Sequence, residues 1–205
     1  MEIFHDITPR FQTNTYLLYD PSSKEALWID PGERSPRIER LLDEEGLKLR
    51  TILLTHGHAD HIGAAAFYKD KYGAAIAGPQ LEAPLLADSK ANLTAMMGMG
   101  AQSIVCDFEV KEGDSIAPFS LRVLETPGHT RGSCSYVVEH MIFCGDLIFQ
   151  GSVGRWDLPT GNYAQLEQSV DRILQMRNYK IFPGHGPVTD TEKERVGNPF
   201  SSYQR

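Results

Sequence analysis

Short apolar runs recur along this chain, separated by turn-forming residues and by stretches whose apolar positions repeat at helical spacing. That is the pattern of strands alternating with amphipathic helices. Residues 16–19 and 26–29 flank Asp20-Pro21-Ser22-Ser23 and predict a hairpin. A helix follows, capped by Ser35, opened by Pro36 and carrying Ile38, Leu41 and Leu42 on one face. Residues 51–54 read as a strand and 62–72 as the next helix. The second half offers strands at 121–124, 135–138, 141–143 and 180–182. A late helix begins near Asn162, with Gln165 completing a capping box and Leu166, Val170, Ile173 and Leu174 forming its apolar face. Residues 83–100 are the least regular part; packing of a helix and loop is the expected role of Met96, Met97 and Met99, ahead of lining a substrate pocket. With no linker or low-complexity stretch, residues 1–205 are expected to form a single domain, a length that buries roughly 70% of its unfolded surface.

Five of the apolar runs end in a turn that carries a metal-ligating residue type. The densest is Thr55-His56-Gly57-His58-Ala59-Asp60-His61; the others end in Asp30-Pro31-Gly32, Gly128-His129, Gly145-Asp146 and Gly184-His185. Five of the seven histidines lie in these breaks, and imidazole and carboxylate are ligands that zinc, iron and manganese accept. In an extended segment His56 and His58 point the same way, while Asp60 and His61, where the chain turns into a helix, can face a second point. Packing alone gives no reason to group imidazoles so closely. If the strand ends share one edge of packed sheets, the residues converge, as in sites built from loops on layered α/β domains. Asp30 either orients a ligand histidine through its free ring N–H or simply forms the turn before Pro31. His5 and His140 read as surface histidines, and Cys144 as a small core residue.

Composition narrows the class. The apolar content of 41% and charged content of 23% are those of a soluble globular protein. A net charge of −7 argues against a general nucleic-acid binder. Three cysteines are too few, and odd in number, for a disulfide framework, and suit a reducing compartment. The N-terminus lacks the pattern of a signal peptide, and no apolar run approaches the ~20 residues of a membrane span. A cytoplasmic protein is expected, acting on a small molecule, with no membrane, nucleic-acid or obligate protein partner.

The ordered set His-x-His-x-Asp-His at 56–61, then His129, Asp146 and His185, resembles the metallo-β-lactamase superfamily over nearly the whole chain. Thr126-Pro127-Gly128-His129-Thr130 and the Gly151-to-Pro159 segment (GSVGRWDLP) are most similar to the single-domain, glyoxalase II-like (hydroxyacylglutathione hydrolase-like) members. The resemblance implies an α/β fold, a four-layer αβ/βα sandwich. It also implies two divalent metal ions, zinc by default with iron or manganese as alternatives. His56, His58 and His129 would hold one ion and Asp60, His61 and His185 the other, with Asp146 bridging; Asp60 and Asp146 are the carboxylates expected in the catalytic role. The implied reaction is hydrolysis of a small thioester, such as S-lactoylglutathione, by a metal-bridging hydroxide. A thiolate leaving group needs little help, with thiol pKa values near ~8.5. Arg155 and Asp157 are expected either to pair with each other or to touch substrate.

The chain departs from full-length glyoxalase II enzymes after His185, where those carry a further helical domain with basic residues for glutathione. Thioester chemistry is therefore better supported than glutathione specificity. A mononuclear iron persulfide dioxygenase, using the equivalents of His56, His129 and Asp146, is the main alternative. Lactone or phosphodiester hydrolysis on the same fold is another. A common dizinc β-lactamase would be expected to carry cysteine where this chain has Asp146. A non-catalytic metal-binding or scaffold protein is hard to reconcile with a complete ligand set.

Overall fold

Strand and helix signals resolve into two six-stranded sheets, one in each of two compact units, Met1–Val110 and Lys111 onward. The computed structural model describes residues 1–204; Arg205, the last residue of the expected domain, lies outside the described residues.

The first unit opens with an antiparallel meander, β1 (Glu2–Ile7), β2 (Asn14–Tyr19) and β3 (Glu25–Ile29). The predicted hairpin is present, in the register Tyr16↔Ile29 to Tyr19↔Ala26. Helix α1 (Pro36–Glu44) follows; the Ser35 hydroxyl accepts from the Ile38 amide at 3.1 Å, as its cap position requires. Then come β4 (Lys48–Leu53), α2 (Ala59–Ile62), α3 (Ala65–Tyr72), β5 (Ala75–Pro79), α4 (Ala83–Ala87) and β6 (Phe108–Val110). Strands β3 to β6 are parallel neighbours in sequence order. Ile38 and Leu42 of α1 are buried in one core with Trp28, Ile52, Ala65, Tyr68 and Ile76, and Leu41 packs half-buried against it. The Trp28 and Tyr68 rings lie 4.2 Å apart, and the Tyr68 hydroxyl joins α1 to α3 by donating to Glu39 and accepting from the Ser35 amide. The expected 62–72 helix is broken in two. The Ala64 amide donates to the Pro31 carbonyl instead of continuing the helix, and Gly63 lies so close to the Gly32 carbonyl that a Cβ there would stand 2.5 Å from it. Of the three methionines expected to pack, Met99 sets its methyl against Gly63 and Met97 is half-buried, whereas Met96 is 77% exposed and does not fit that expectation.

The second unit contains β7 (Ser115–Ile116), β8 (Leu121–Glu125), β9 (Cys134–Val138) and β10 (Met141–Gly145). A two-stranded ribbon of β11 (Ile148–Phe149) and β12 (Ser152–Val153) comes next, then α5 (Tyr163–Gln175), β13 (Lys180–Pro183), β14 (Thr189–Asp190) and α6 (Thr191–Gly197). The sheet order is β14-β13-β10-β9-β8-β7, with β10 and β13 parallel and the other pairs antiparallel. Helix α5 buries Leu166, Val170, Ile173 and Leu174 against Ile142, Cys144 and Ile181, the face its spacing predicts. Asn162 caps it by accepting from the Gln165 amide at 3.0 Å. The capping box is not closed: the Asn162 amide donates to the Gly128 carbonyl, which ties the helix start to a site loop instead. The α/β class is as expected, with sheets flanked by helices.

Candidate metal centre

In the first unit three adjacent parallel strands end at one edge. Asp30 follows β3, the run His56 to His61 follows β4, and Glu82 follows β5. His56, His58 and His61 are all buried. Ring donors of His56 and His58 lie within 4.8 Å of one another, as do those of His56 and His61, and a carboxylate oxygen of Asp60 comes as near to His61. The segment is not extended as the alternation argument supposed: β4 ends at Leu53, and the His56 and His58 rings meet edge to face at 87°. Neighbouring strand ends shape the loop instead. The Asp30 carboxylate accepts from the Thr55 amide at 2.8 Å and the Thr55 hydroxyl at 2.6 Å, and Glu82 accepts from the Gly57 amide at 2.8 Å.

Asp30 does more than form a turn. Its Oδ2 accepts from His61 Nδ1 at 2.9 Å. Thr55 Oγ1, already donating to Asp30, accepts from His56 Nδ1 at 3.1 Å. One buried carboxylate thus fixes the tautomers of two imidazoles, directly and through a hydroxyl, and leaves Nε2 of each as the ligand atom. Thr13, the residue before β2, donates to Asp60 Oδ2 at 3.1 Å. A Cβ at Gly32 would lie 1.5 Å from the Asp60 carbonyl oxygen, so only glycine lets these two ligand-bearing turns approach. Thr13 and Glu82 escaped the sequence reading. Thr13 has no local signal, its contact being 47 residues away. Glu82 had one: a carboxylate inside the apolar stretch around Leu81, Leu85 and Leu86.

In the second unit β8, β10 and β13 run the same way and deliver His129, Asp146 and His185. His129 Nδ1 donates to the Arg155 carbonyl at 2.6 Å, again presenting Nε2, which lies 3.7 Å from Asp146 Oδ2. His185 Nε2 lies 3.6 Å from the same oxygen. The His129 loop is pinned to α5: Gly128, at φ +140°, lies where a Cβ would meet Leu166 Cα at 2.2 Å, and Ser169 donates to the Pro127 carbonyl. The buried Glu194 of α6 accepts from the Gly151 amide, the Thr189 hydroxyl and the Asn198 amide group. This anchors the β11–β12 ribbon, whose Phe149 ring stands edge-on to His185 at 5.8 Å.

Donors in both units are imidazole nitrogens and carboxylate oxygens, and the outer ring nitrogens of His56, His61 and His129 are held by the protein, a chemistry that fits zinc, iron or manganese. Cys144 is no ligand: it is buried, and burial pushes its thiol up to about 12, the core role expected. Arg155 pairs with Asp157 through two bonds of 2.7 and 3.0 Å, the self-pairing alternative. His140 is exposed as expected, whereas His5 is half-buried and bonded to Asn14 at 2.8 Å, because it sits in β1 beside β2. Among the described residues no helix is long and apolar enough to cross a membrane.

Imidazoles and carboxylates gathered at the ends of strands in an α/β protein define a class of metal-binding folds. Within that class the chain belongs to the metallo-β-lactamase superfamily, whose family model matches residues 8–185 and whose members are mostly metal-dependent hydrolases. It is 38% identical over 197 residues to a probable metallo-hydrolase, YqgX, of Bacillus subtilis, covering 92% of each chain. It is 35% identical over 199 residues to the hydroxyacylglutathione hydrolase GloC of Haemophilus influenzae, covering 93% of each. Among solved structures, BLEG-1, a B3 metallo-β-lactamase, superposes with a TM-score of 0.90 at 32% identity, over 98% of this chain and 100% of that one. The protein TTHA1623 in a di-iron-bound form gives a TM-score of 0.84 at 32% identity, over 96% and 99%.

Proposed function

We propose that the chain is a dinuclear metal-dependent thioester hydrolase of the glyoxalase II-like type, acting on S-lactoylglutathione or a related small thioester. The observation that carries the reading is the complete donor set: four residues on one loop of the first unit and three at strand ends of the second, with the outer ring nitrogens of His56, His61 and His129 held. In this reading His56, His58 and His129 hold one ion, Asp60, His61 and His185 the other, and Asp146 serves both. Whole-length similarity to a relative named hydroxyacylglutathione hydrolase supports the substrate class. When bound, such ions supply ionised water near neutral pH and an electrophilic clamp for the substrate carbonyl. The chain's own part is to hold and orient. Asp30 and the Arg155 carbonyl keep Nε2 of His56, His61 and His129 in the ligand form. Thr13 steadies Asp60, and Asp146 faces His129 and His185 with one oxygen. Zinc is the default metal; the di-iron form of TTHA1623 supports iron as the alternative. The three cysteines are free thiols, in keeping with a cytoplasmic protein.

The test is hydrolysis of S-D-lactoylglutathione by zinc-loaded and iron-loaded protein, followed as loss of thioester absorbance, with a chelated control. Chelator-sensitive turnover is expected. No turnover at high protein concentration rejects that substrate. BLEG-1 is named a B3 metallo-β-lactamase, so a chromogenic β-lactam belongs in the same assay, although Asp146 stands where a common dizinc β-lactamase would be expected to carry cysteine.

A further inference from the structure

Glu82 lies on a single turn, residues 80–82, between β5 and α4, where the usual polarity is inverted: Leu81 is 52% exposed while Glu82 is 1% exposed. Packing alone favours the opposite arrangement, and taking a carboxylate out of water costs several kcal/mol unless donors meet it. One donor it meets is informative. Glu82 Oε2 accepts from the amide of Gly57 at 2.8 Å, the peptide between His56 and His58. The fit around that peptide is close: a Cβ at Gly57 would meet Leu85 Cγ at 3.1 Å and Glu82 Oε2 at 3.2 Å. β5 is the parallel neighbour of β4, so the turn after one strand is placed beside the ligand loop after the other.

We infer that Glu82 is the positioning residue of the ligand loop. Its carboxylate clamps the peptide that joins His56 to His58 and sets the angle between the two imidazoles before an ion arrives. Asp30 fixes the outer ring nitrogens of His56 and His61, while Glu82 fixes the backbone that separates His56 from His58. The inference rests on the proposed metal reading of those histidines.

The experiment measures zinc affinity of the full chain by competition with a chromophoric chelator, and the visible spectrum of the cobalt-substituted protein. Glu82→Ala is expected to weaken zinc binding about 10- to 100-fold and to alter the cobalt bands. Glu82→Gln, whose amide oxygen can accept the same bond, restores most of both. Leu86→Ala, which opens the nearby core without touching Gly57, lowers stability and leaves affinity and spectrum in place. Wild-type affinity and spectrum in Glu82→Ala overturn the inference, as does an equal loss in Leu86→Ala, or a Gln variant as weak as the Ala variant. If Glu82→Ala does not fold, Glu82→Asp takes its place: withdrawing the carboxylate by one methylene should cost about tenfold more affinity than the Gln change, and equal affinities would overturn the role. A wild-type chain that binds no zinc, cobalt or iron defeats the metal reading itself, a separate failure.

Discussion

The two units present ligands by opposite means. The first puts His56, His58, Asp60 and His61 on one loop after β4 and uses its other two strand ends, Asp30 and Glu82, to brace that loop. The second spreads His129, Asp146 and His185 over three strand ends and braces the two histidines from elsewhere: the Arg155 carbonyl and α5 for His129, the Glu194-anchored ribbon for Phe149 against His185. A contiguous ligand loop needs little tertiary structure to bring its members near one another, but much to fix their angles. Dispersed ligands need the sheet to meet at all. Bracing therefore controls geometry in the first unit and proximity in the second.

Replacement of Asp146, which faces both histidines of its unit, should give the largest effect. Asp146→Ala is expected to lose both ions or more than about 100-fold in turnover, beyond the usual cost of an outer partner. Full metal content with unchanged turnover would break the second unit's role. Asp30→Ala comes next. It strands the buried Thr55 amide and the His61 ring N–H, for about 10- to 100-fold in metal affinity and about 1–3 kcal/mol in stability. Metal titration and urea unfolding on the same sample check it, and an affinity unchanged within error removes Asp30 from the bracing of the ligands. Glu194→Ala leaves the buried Thr189 hydroxyl without its acceptor and takes one bond each from the Gly151 amide and the Asn198 side chain, and should cost about 1–3 kcal/mol in stability, with a smaller change in metal affinity than Asp30→Ala. The reverse order would show that the second unit, too, is braced for angle. Asn162→Ala should be the mildest, about 1 kcal/mol from the lost cap, read as a lower thermal midpoint at constant metal content.

Much of this was legible in the chain. The hairpin at 16–19 and 26–29, the Ser35 cap and the apolar face of α5 follow from local rules, because turn chemistry, capping and periodicity act within a few residues. The 62–72 helix was misjudged because its break depends on the Pro31 carbonyl capturing the Ala64 amide, a bond between segments far apart in sequence. The capping box at Asn162 failed for the same reason, its amide being taken by Gly128. β1 and β5 went unread: β1 is a half-exposed edge strand, and β5 is a short Ala- and Gly-containing run with weak strand propensity.

What the sequence determined by itself is the chemistry: which residues can bind a metal, their order, and the family to which that order belongs. Donor type is a property of single side chains, and motif spacing is covalent. What only the tertiary structure decided is how the donors are aimed. The link from His56 through Thr55 to Asp30, the hold of Glu82 on Gly57 and the grip of the Arg155 carbonyl on His129 all cross between separate loops. Hydrogen-bond direction falls off steeply with angle, so such contacts exist only once the strands are in register.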